Sequence, residues 1–277
     1  MLNAKRKQLL VISGAIVLTI VLYLAPGKIK QQDAGKPGEE TNQFFSFESL
    51  LVSAKRNFKR QELGQIEKLE GELSKDQNNV LLLDTLGKLW DKMDQPVISS
   101  HYFEMIAVRQ PGEKNWLNAA YRFFDASQMS GDSLLRVMVL NKAIASYNNV
   151  LKYNPDNLDA KTDLGICYAV GSTEPMKGIL MLRDVVSKNP NHENAQFNLG
   201  ILSVKSGQYE KAVERFQKVL EINPARKEMY FMIGKAYFLS GNKEKALQTL
   251  EKLKKETVNA QLIEEANSLI SQININQ

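Results

Sequence analysis

Three Asn-Pro pairs punctuate the chain, at Asn154-Pro155, Asn189-Pro190 and Asn223-Pro224, with a weaker copy at Gln110-Pro111. The prolines are 44, 35 and 34 residues apart. Leu-Gly pairs recur in step: Leu86-Gly87, Leu164-Gly165, Leu199-Gly200, then Ile233-Gly234. A period of this length predicts stacked supersecondary units, each unable to bury its apolar face without a neighbour. Within the stretch Leu199–Pro224, apolar residues fall at helical spacing in two runs. Leu199, Gly200 and Leu202 lie on the first run, and Tyr209, Ala212, Val213, Phe216, Val219, Leu220 and Ile222 lie on the second. Gly207 suits the end of the first helix, because glycine tolerates the left-handed backbone that closes one. Pro224 stops the second, because proline disfavours helix in the residue before it. The small Gly200 and Ala212 mark the place where the two helices cross, with Phe216 and Tyr209 filling the space beside it.

This arrangement resembles the tetratricopeptide repeat, a 34-residue helix-turn-helix unit. Residues 193–226 carry the pattern without a gap, through Leu199-Gly200, Gly207, Tyr209, Ala212, Phe216 and Pro224. Residues 227–260 follow with Ile233-Gly234, Tyr237, Gly241, Ala246 and Leu250, but Val258 stands in place of the proline. Residues 158–192 match with one extra residue and with Gly178 at the small position, and residues 80–112 are degenerate but correctly spaced. The unit at 113–157 has about ten residues too many between its two ends. Longer helices turning at Ser130–Ser133 accommodate them, so this hairpin is expected to protrude. Residues 46–75 read as one more helix pair, and 259–274 as a capping helix. The cap turns Gln261, Glu264, Glu265, Ser268 and Gln272 outward while Leu262, Ala266, Leu269, Ile270 and Ile273 pack inward. The resemblance implies an all-α, right-handed superhelical solenoid over residues 44–277.

The N-terminus is of another kind. Leu9–Ala25 contains no charged residue and follows Lys5, Arg6 and Lys7. Seventeen residues of helix rise about 26 Å, slightly short of a hydrocarbon core of about 30 Å, and flanking side chains can close the gap. The basic flank predicts a cytoplasmic tip, residues 1–25 as a single transmembrane anchor, and a body exported from a bacterial inner membrane into the periplasm. A cleaved signal peptide is the competing reading, opposed by the length of the run and by Pro26 directly after Ala25. Residues 26–43, rich in Pro, Gly and polar side chains, read as a flexible linker.

Charge and composition remove several function classes. The net charge of +5 lies mostly in residues 1–43, which carry +3, leaving the body nearly neutral and giving no reason to expect nucleic-acid binding. The lone Cys167 forms no internal disulfide and, with the two separated histidines His101 and His192, no recognisable zinc cluster. No phosphate-binding glycine loop and no catalytic carboxylate pair is recognisable, so no catalytic, cofactor or metal residues are assigned. Cys167 reads as a small buried hydrophobe, Trp116 as a core anchor, and Glu67, Lys68, Glu70 and Glu72 as a solvated helix face.

Proteins of the resembled family bind peptides or helices along the groove lined by the first helix of each pair, and some clamp a peptide carboxylate with Lys, Asn and Arg. Counted from the Leu-Gly pairs, those clamp positions fall here on Asp84, Lys88, Asn118, Asp159 and Asp163; the acidic residues would repel a carboxylate. The groove positions of the later units are instead Ile166 and Ala169, then Phe197, Asn198, Ile201 and Val204, then Phe231 and Phe238. These either form a hydrophobic peptide groove or are covered by neighbouring helices and the cap. On the hairpin, Phe123, Phe124, Met129, Leu134, Leu135, Val137, Met138, Val139 and Leu140 are more apolar surface than a two-helix excursion hides by itself. Phe124, Met129, Leu135 and Met138 are the candidate contacts there, unless the long helices pack on their neighbours. The reading is a membrane-tethered, non-catalytic protein-interaction scaffold with a protein or peptide partner. A periplasmic chaperone-like module binding exported or unfolded peptides is the alternative.

Overall fold

The computed structural model describes residues 46–275; the expected anchor Leu9–Ala25 and the linker 26–43 lie outside them. Among the described residues there are thirteen α-helices and no strand. They run as six successive helix pairs, five of them closely packed, and a last single helix. The pairs are α1 (Phe47–Arg56) with α2 (Arg60–Leu73), α3 (Val80–Lys92) with α4 (Pro96–Arg109), and α5 (Glu113–Met129) with α6 (Ser133–Tyr153). Then come α7 (Leu158–Gly171) with α8 (Pro175–Lys188), α9 (Glu193–Lys205) with α10 (Tyr209–Ile222), and α11 (Glu228–Leu239) with α12 (Lys243–Glu256). The last helix is α13 (Ala260–Ile275). From α2 onward each helix packs on the next in sequence, as a solenoid requires, while α1 packs chiefly on α4.

Local chemistry sets the boundaries. Asn79, Asn157 and Asn242 begin α3, α7 and α12 by accepting a backbone N–H from Leu82 (3.2 Å), Ala160 (2.8 Å) and Lys245 (3.1 Å). Pro96 and Pro175 sit in the first turn of α4 and α8, where a missing N–H costs nothing. Gly207 (φ 72°) and Gly241 (φ 82°) close α9 and α11 in the left-handed region. Asp94 (φ 56°) takes the same register after α3 without being glycine.

The Asn-Pro pairs do more than stop a helix. Asn154 donates through Nδ2 to Glu113 Oε1 (3.0 Å), and Asn223 to Glu193 Oε2 (3.1 Å). Each amide thus ties the end of a pair's second helix to the start of its first. The unit at 158–188 begins with Leu158 and lacks this tie.

The helix crossings are close where glycine was expected, and the partner is more specific than a generic crossing. A Cβ on Gly200 would stand 2.5 Å from Cε1 of Phe216, and one on Gly87 would stand 2.6 Å from Cε2 of Phe103. The aromatic ring lies across the glycine rather than beside it. The ten extra residues of the third pair lengthen both helices, to 17 and 21 residues, and the turn falls at Ser130–Asp132.

Several expectations need correction. Of the hairpin's apolar residues, Phe123, Val139 and Leu140 are buried, so the long helices hide much of the surface expected to be free. Leu140 reaches the end of α7, where a Cβ on Gly171 would stand 2.2 Å from its Cδ2. Glu70 is not on a solvated face. It is half-buried, ion-paired with Lys55 and 3.4 Å from the Tyr102 hydroxyl, which donates to it. Trp116 is only half-buried, bridging two apolar clusters; Trp90 is the tryptophan sealed in the core. The cap runs as expected, with Ala266, Leu269 and Ile273 buried. Its polar face, however, does not look only to solvent. Gln261, Glu264, Glu265, Ser268 and Gln272 form, with Phe231 and Lys235 of α11, a cleft of about 430 Å³.

Candidate protein-interaction surface

The first helices of the pairs form the inner wall of the solenoid. α7 touches α9 directly and α11 touches α13, while no two second helices make comparable contact. Residues four, three and four apart share one face of a helix. On α7 these are Asp159, Asp163, Ile166 and Val170; on α9 they are Asn194, Asn198, Ile201 and Lys205. On these two helices the wall is polar along the N-terminal halves and apolar along the C-terminal halves at Ile166, Val170 and Ile201, an apolar lane that Lys205 interrupts.

The apolar lane is neither fully open nor fully covered. Phe197, Ile201 and Val204 are half-buried on the cluster around Phe216, with the Arg226 guanidinium 5.1 Å from the Phe197 ring centre. Asn198 is half-buried and donates to the Asn194 carbonyl (2.8 Å). Phe231 and Phe238 pack against the cluster that includes the cap. Neighbouring helices thus hold these side chains in place without burying them. On three of the first helices Tyr121 (41% exposed), Val170 (48%) and Leu239 (42%) are open to solvent.

The polar lane contains an acidic corner. The Tyr147 hydroxyl, on a fully buried ring, donates to Asp163 Oδ2 at 3.4 Å. Tyr121 stacks edge-on against Tyr147, ring centres 5.9 Å apart. Burial, and then the charge of nearby Asp159, push the Asp163 carboxyl up to about 6; the two tyrosines partly oppose this and Asp125 adds to it. Burial, followed by the Asp163 charge, raises both tyrosines as well.

Sequence reasoning missed the roles of the two histidines. His192 caps α9, accepting from the Ala195 N–H at Nδ1 (3.4 Å), and its Nε2 lies 3.1 Å from Asp159 Oδ1. His101 stacks on Phe47 (centroids 3.8 Å apart) and lies 3.3 Å from Glu104. Burial alone would raise the Glu104 carboxyl, but bonds from His101 and Lys142 hold it below its ordinary value. The contacts of His192 with Asp159 and of His101 with Phe47 join separate helix pairs and follow no spacing rule, whereas His101–Glu104 is an i,i+3 pair within α4. Cys167 is buried as expected, and burial raises its thiol well above the usual range.

The hairpin's candidates divide. Met129, with Leu134 and Val137, is exposed, while Phe124, Leu135 and Met138 are half-buried. Met129 and Leu135 line a cleft of about 280 Å³ between the hairpin turn and the start of α4 at Pro96 and Val97. This places the hairpin candidates apart from those of the inner wall.

Residues 203–272 match the tetratricopeptide repeat family. A tetratricopeptide repeat protein from Parabacteroides merdae superposes with a TM-score of 0.55 at 18% identity, covering 86% of this chain and 84% of that one. PilW, described as a widely conserved type IV pilus biogenesis factor, gives 0.54 at 16% identity over 84% of this chain and 99% of its own. MamA gives 0.51 at 19% identity, over 64% and 91%. No curated protein matches the chain in sequence. The helix pairs, their glycine crossings and these likenesses together make the described chain a tetratricopeptide-type solenoid, with the family's repeat itself carried by residues 203–272.

Proposed function

We propose that this protein is a non-catalytic interaction scaffold that takes a segment of a partner protein along its inner wall, and that Leu9–Ala25 tethers it to a membrane with the solenoid on the exported side. The observation that supports the groove is that large apolar side chains, Tyr121 of α5, Val170 of α7 and Leu239 of α11, stay open on three of the first helices. The exposed hairpin turn is a second contact surface for the same scaffold. For the tether, the support is the uncharged run behind Lys5, Arg6 and Lys7. Among the described residues no helix is long and apolar enough to cross a membrane, so the tether rests on Leu9–Ala25 alone.

A photoreactive residue at Val170 or Leu239 in the full-length chain tests the groove. The expected result is one recurring adduct of defined mass at both positions and none at the outward-facing Lys211. Equal labelling at all three would rule out the groove. Alkaline carbonate extraction, with reporter fusions at Gln43 and Gln277, tests the tether. Retention in the membrane pellet and an exported reporter are expected; release into the supernatant would overturn it.

A further inference from the structure

Met129 (60% exposed), Leu134 (58%) and Val137 (48%) stand open within nine residues of sequence, around the turn of the longest helix pair, α5–α6. Leu134 and Val137 lie three residues apart on one face of α6, and that face becomes polar at Asn141, one turn further on. Arg136 is exposed beside them and has no acid within ion-pair distance among the described residues. The acid of the turn, Asp132, is engaged by the helix start: its Oδ1 accepts the N–H groups of Leu134 (2.8 Å) and Leu135 (2.9 Å). The chain enters the solenoid at the same end. Phe47, at the start of α1, stacks on His101 of α4 with ring centres 3.8 Å apart. His101 lies five residues, about 8 Å, along α4 from Pro96. Pro96 and Val97 in turn line one cleft with Met129, Gly131 and Leu135 of the hairpin. With 17 and 21 residues against 14 in α4, α5 and α6 carry their turn past the start of α4. Residues 26–45 separate Ala25 from Ser46, the first described residue, and a chain of that length spans at most about 70 Å.

We propose that the α5–α6 turn docks on a lipid bilayer, with Met129, Leu134 and Val137 entering the edge of the hydrocarbon and Arg136 meeting the headgroup phosphates. This rests on the tether reading given above, because the bilayer is the one that Leu9–Ala25 would occupy. It adds a second point of contact, which sets how the solenoid stands on the membrane. Three apolar side chains make a poor protein interface, which takes about 20–30 residues a side. They are enough for a bilayer that the tether already holds close, because the contact is then intramolecular and a weak one is populated. A free cation beside apolar side chains suits an anionic lipid surface. Asn141 and the ion pair of Lys142 with Glu104 (2.8 Å) stand behind the turn and limit how deep it enters.

The test reconstitutes the full-length chain into lipid vesicles that hold no other protein. A bimane-labelled cysteine is placed by Val137→Cys or, as the comparison, by Tyr153→Cys at the far end of α6, about 24 Å away along the helix. The native Cys167 is fully buried and stays unlabelled in the folded chain. Lipids brominated near the top of the acyl chain should quench the probe at 137 and leave the probe at 153 unchanged. Leu134→Asp should abolish that quenching. The first turn of a helix favours an acid, so the variant keeps its fold, which a circular dichroism melt checks. Adding anionic lipid should raise the ratio of docked to undocked protein about fivefold, and Arg136→Gln should remove the gain. Vesicles that carry the protein but quench neither probe, or both equally, would overturn the docking while leaving the tether intact. A probe at 137 that is shielded only once a second protein is added would assign the turn to a protein partner instead. A chain that does not float with the vesicles would remove the tether, and the docking with it.

Discussion

The helix pairs α7–α8 and α9–α10 are neighbours with the same outline, yet they close their crossings differently. In α9–α10 a glycine faces a ring, Gly200 beneath Phe216. In α7–α8 a glycine faces a glycine. A Cβ on Gly178 would stand 2.2 Å from the Gly165 carbonyl oxygen and 2.6 Å from the Ala169 nitrogen. A side chain can tilt; two backbones in contact have nothing to move except the helices themselves. The pairs differ on the inner wall as well. The register that holds Asn198 on α9 holds Asp163, whose carboxyl burial pushes up, on α7. At their first residue, Glu193 of α9 joins Arg226 and Asn223, while α7 begins with Leu158. One fold thus tolerates two solutions at three registers, so the repeat pattern specifies a shape more than a set of contacts.

Substitutions at those registers can break the comparison. The largest effect is expected from Gly178→Ala, which must push backbone from backbone and should cost at least about 3 kcal/mol in a denaturant melt. A loss below about 1 kcal/mol would mean the crossing is looser than drawn here. Gly200→Ala should cost less, about 1–2 kcal/mol, because the Phe216 ring can shift. Adding Phe216→Leu, which copies Leu182 of the neighbouring pair, should recover part of that loss, giving a double mutant more stable than additivity allows.

Asp163→Asn sharpens the comparison by giving α7 the residue that α9 already has. The Asp163 carboxyl is raised in the folded state, so the fold holds its proton more tightly than the unfolded chain does. Its contribution to stability is greatest near pH 4, falls as pH rises to about 6, and is flat above. The asparagine variant lacks that fall and should be more stable than the parent at pH 7 by about 1–2 kcal/mol, after allowance for partial exposure. Melts from pH 4 to 7 should show the gap between the two proteins widening with pH; a constant gap would count against the burial argument. The smallest effect is expected for Glu193→Gln. It weakens a quarter-exposed ion pair with Arg226 but keeps an amide near Asn223, and should cost about 0.5–1 kcal/mol, halved in high salt.

Tyr121 and Asp163 illustrate why the candidate site was only partly legible. Phe197, Ile201 and Val204 could be assigned to one wall because a helix repeats its face every three to four residues. Asp163 could be located on that wall by counting from Leu164-Gly165, and its sign argued against a carboxylate clamp. What counting could not supply was that Tyr147 and Tyr121, from two other helices, press on it. Those contacts depend on the angle and depth at which pairs stack. Likewise the apolar count of the hairpin was correct, but Leu140 found cover at Gly171, a residue in the next pair.

By itself the sequence determined that the body is helical, the period at which its helix pairs recur, and that Gly200, Ala212 and Gly178 are small where helices cross. Those features follow from local rules: side-chain caps, glycine's left-handed backbone, proline's blocked helix and the helical period. Only the tertiary structure decided which carboxyl burial pushes up, which apolar residues stay open, and that one crossing closes on a ring and the next on bare backbone. Burial and electrostatic pairing are sums over neighbours far apart in the chain, and no local pattern encodes such a sum.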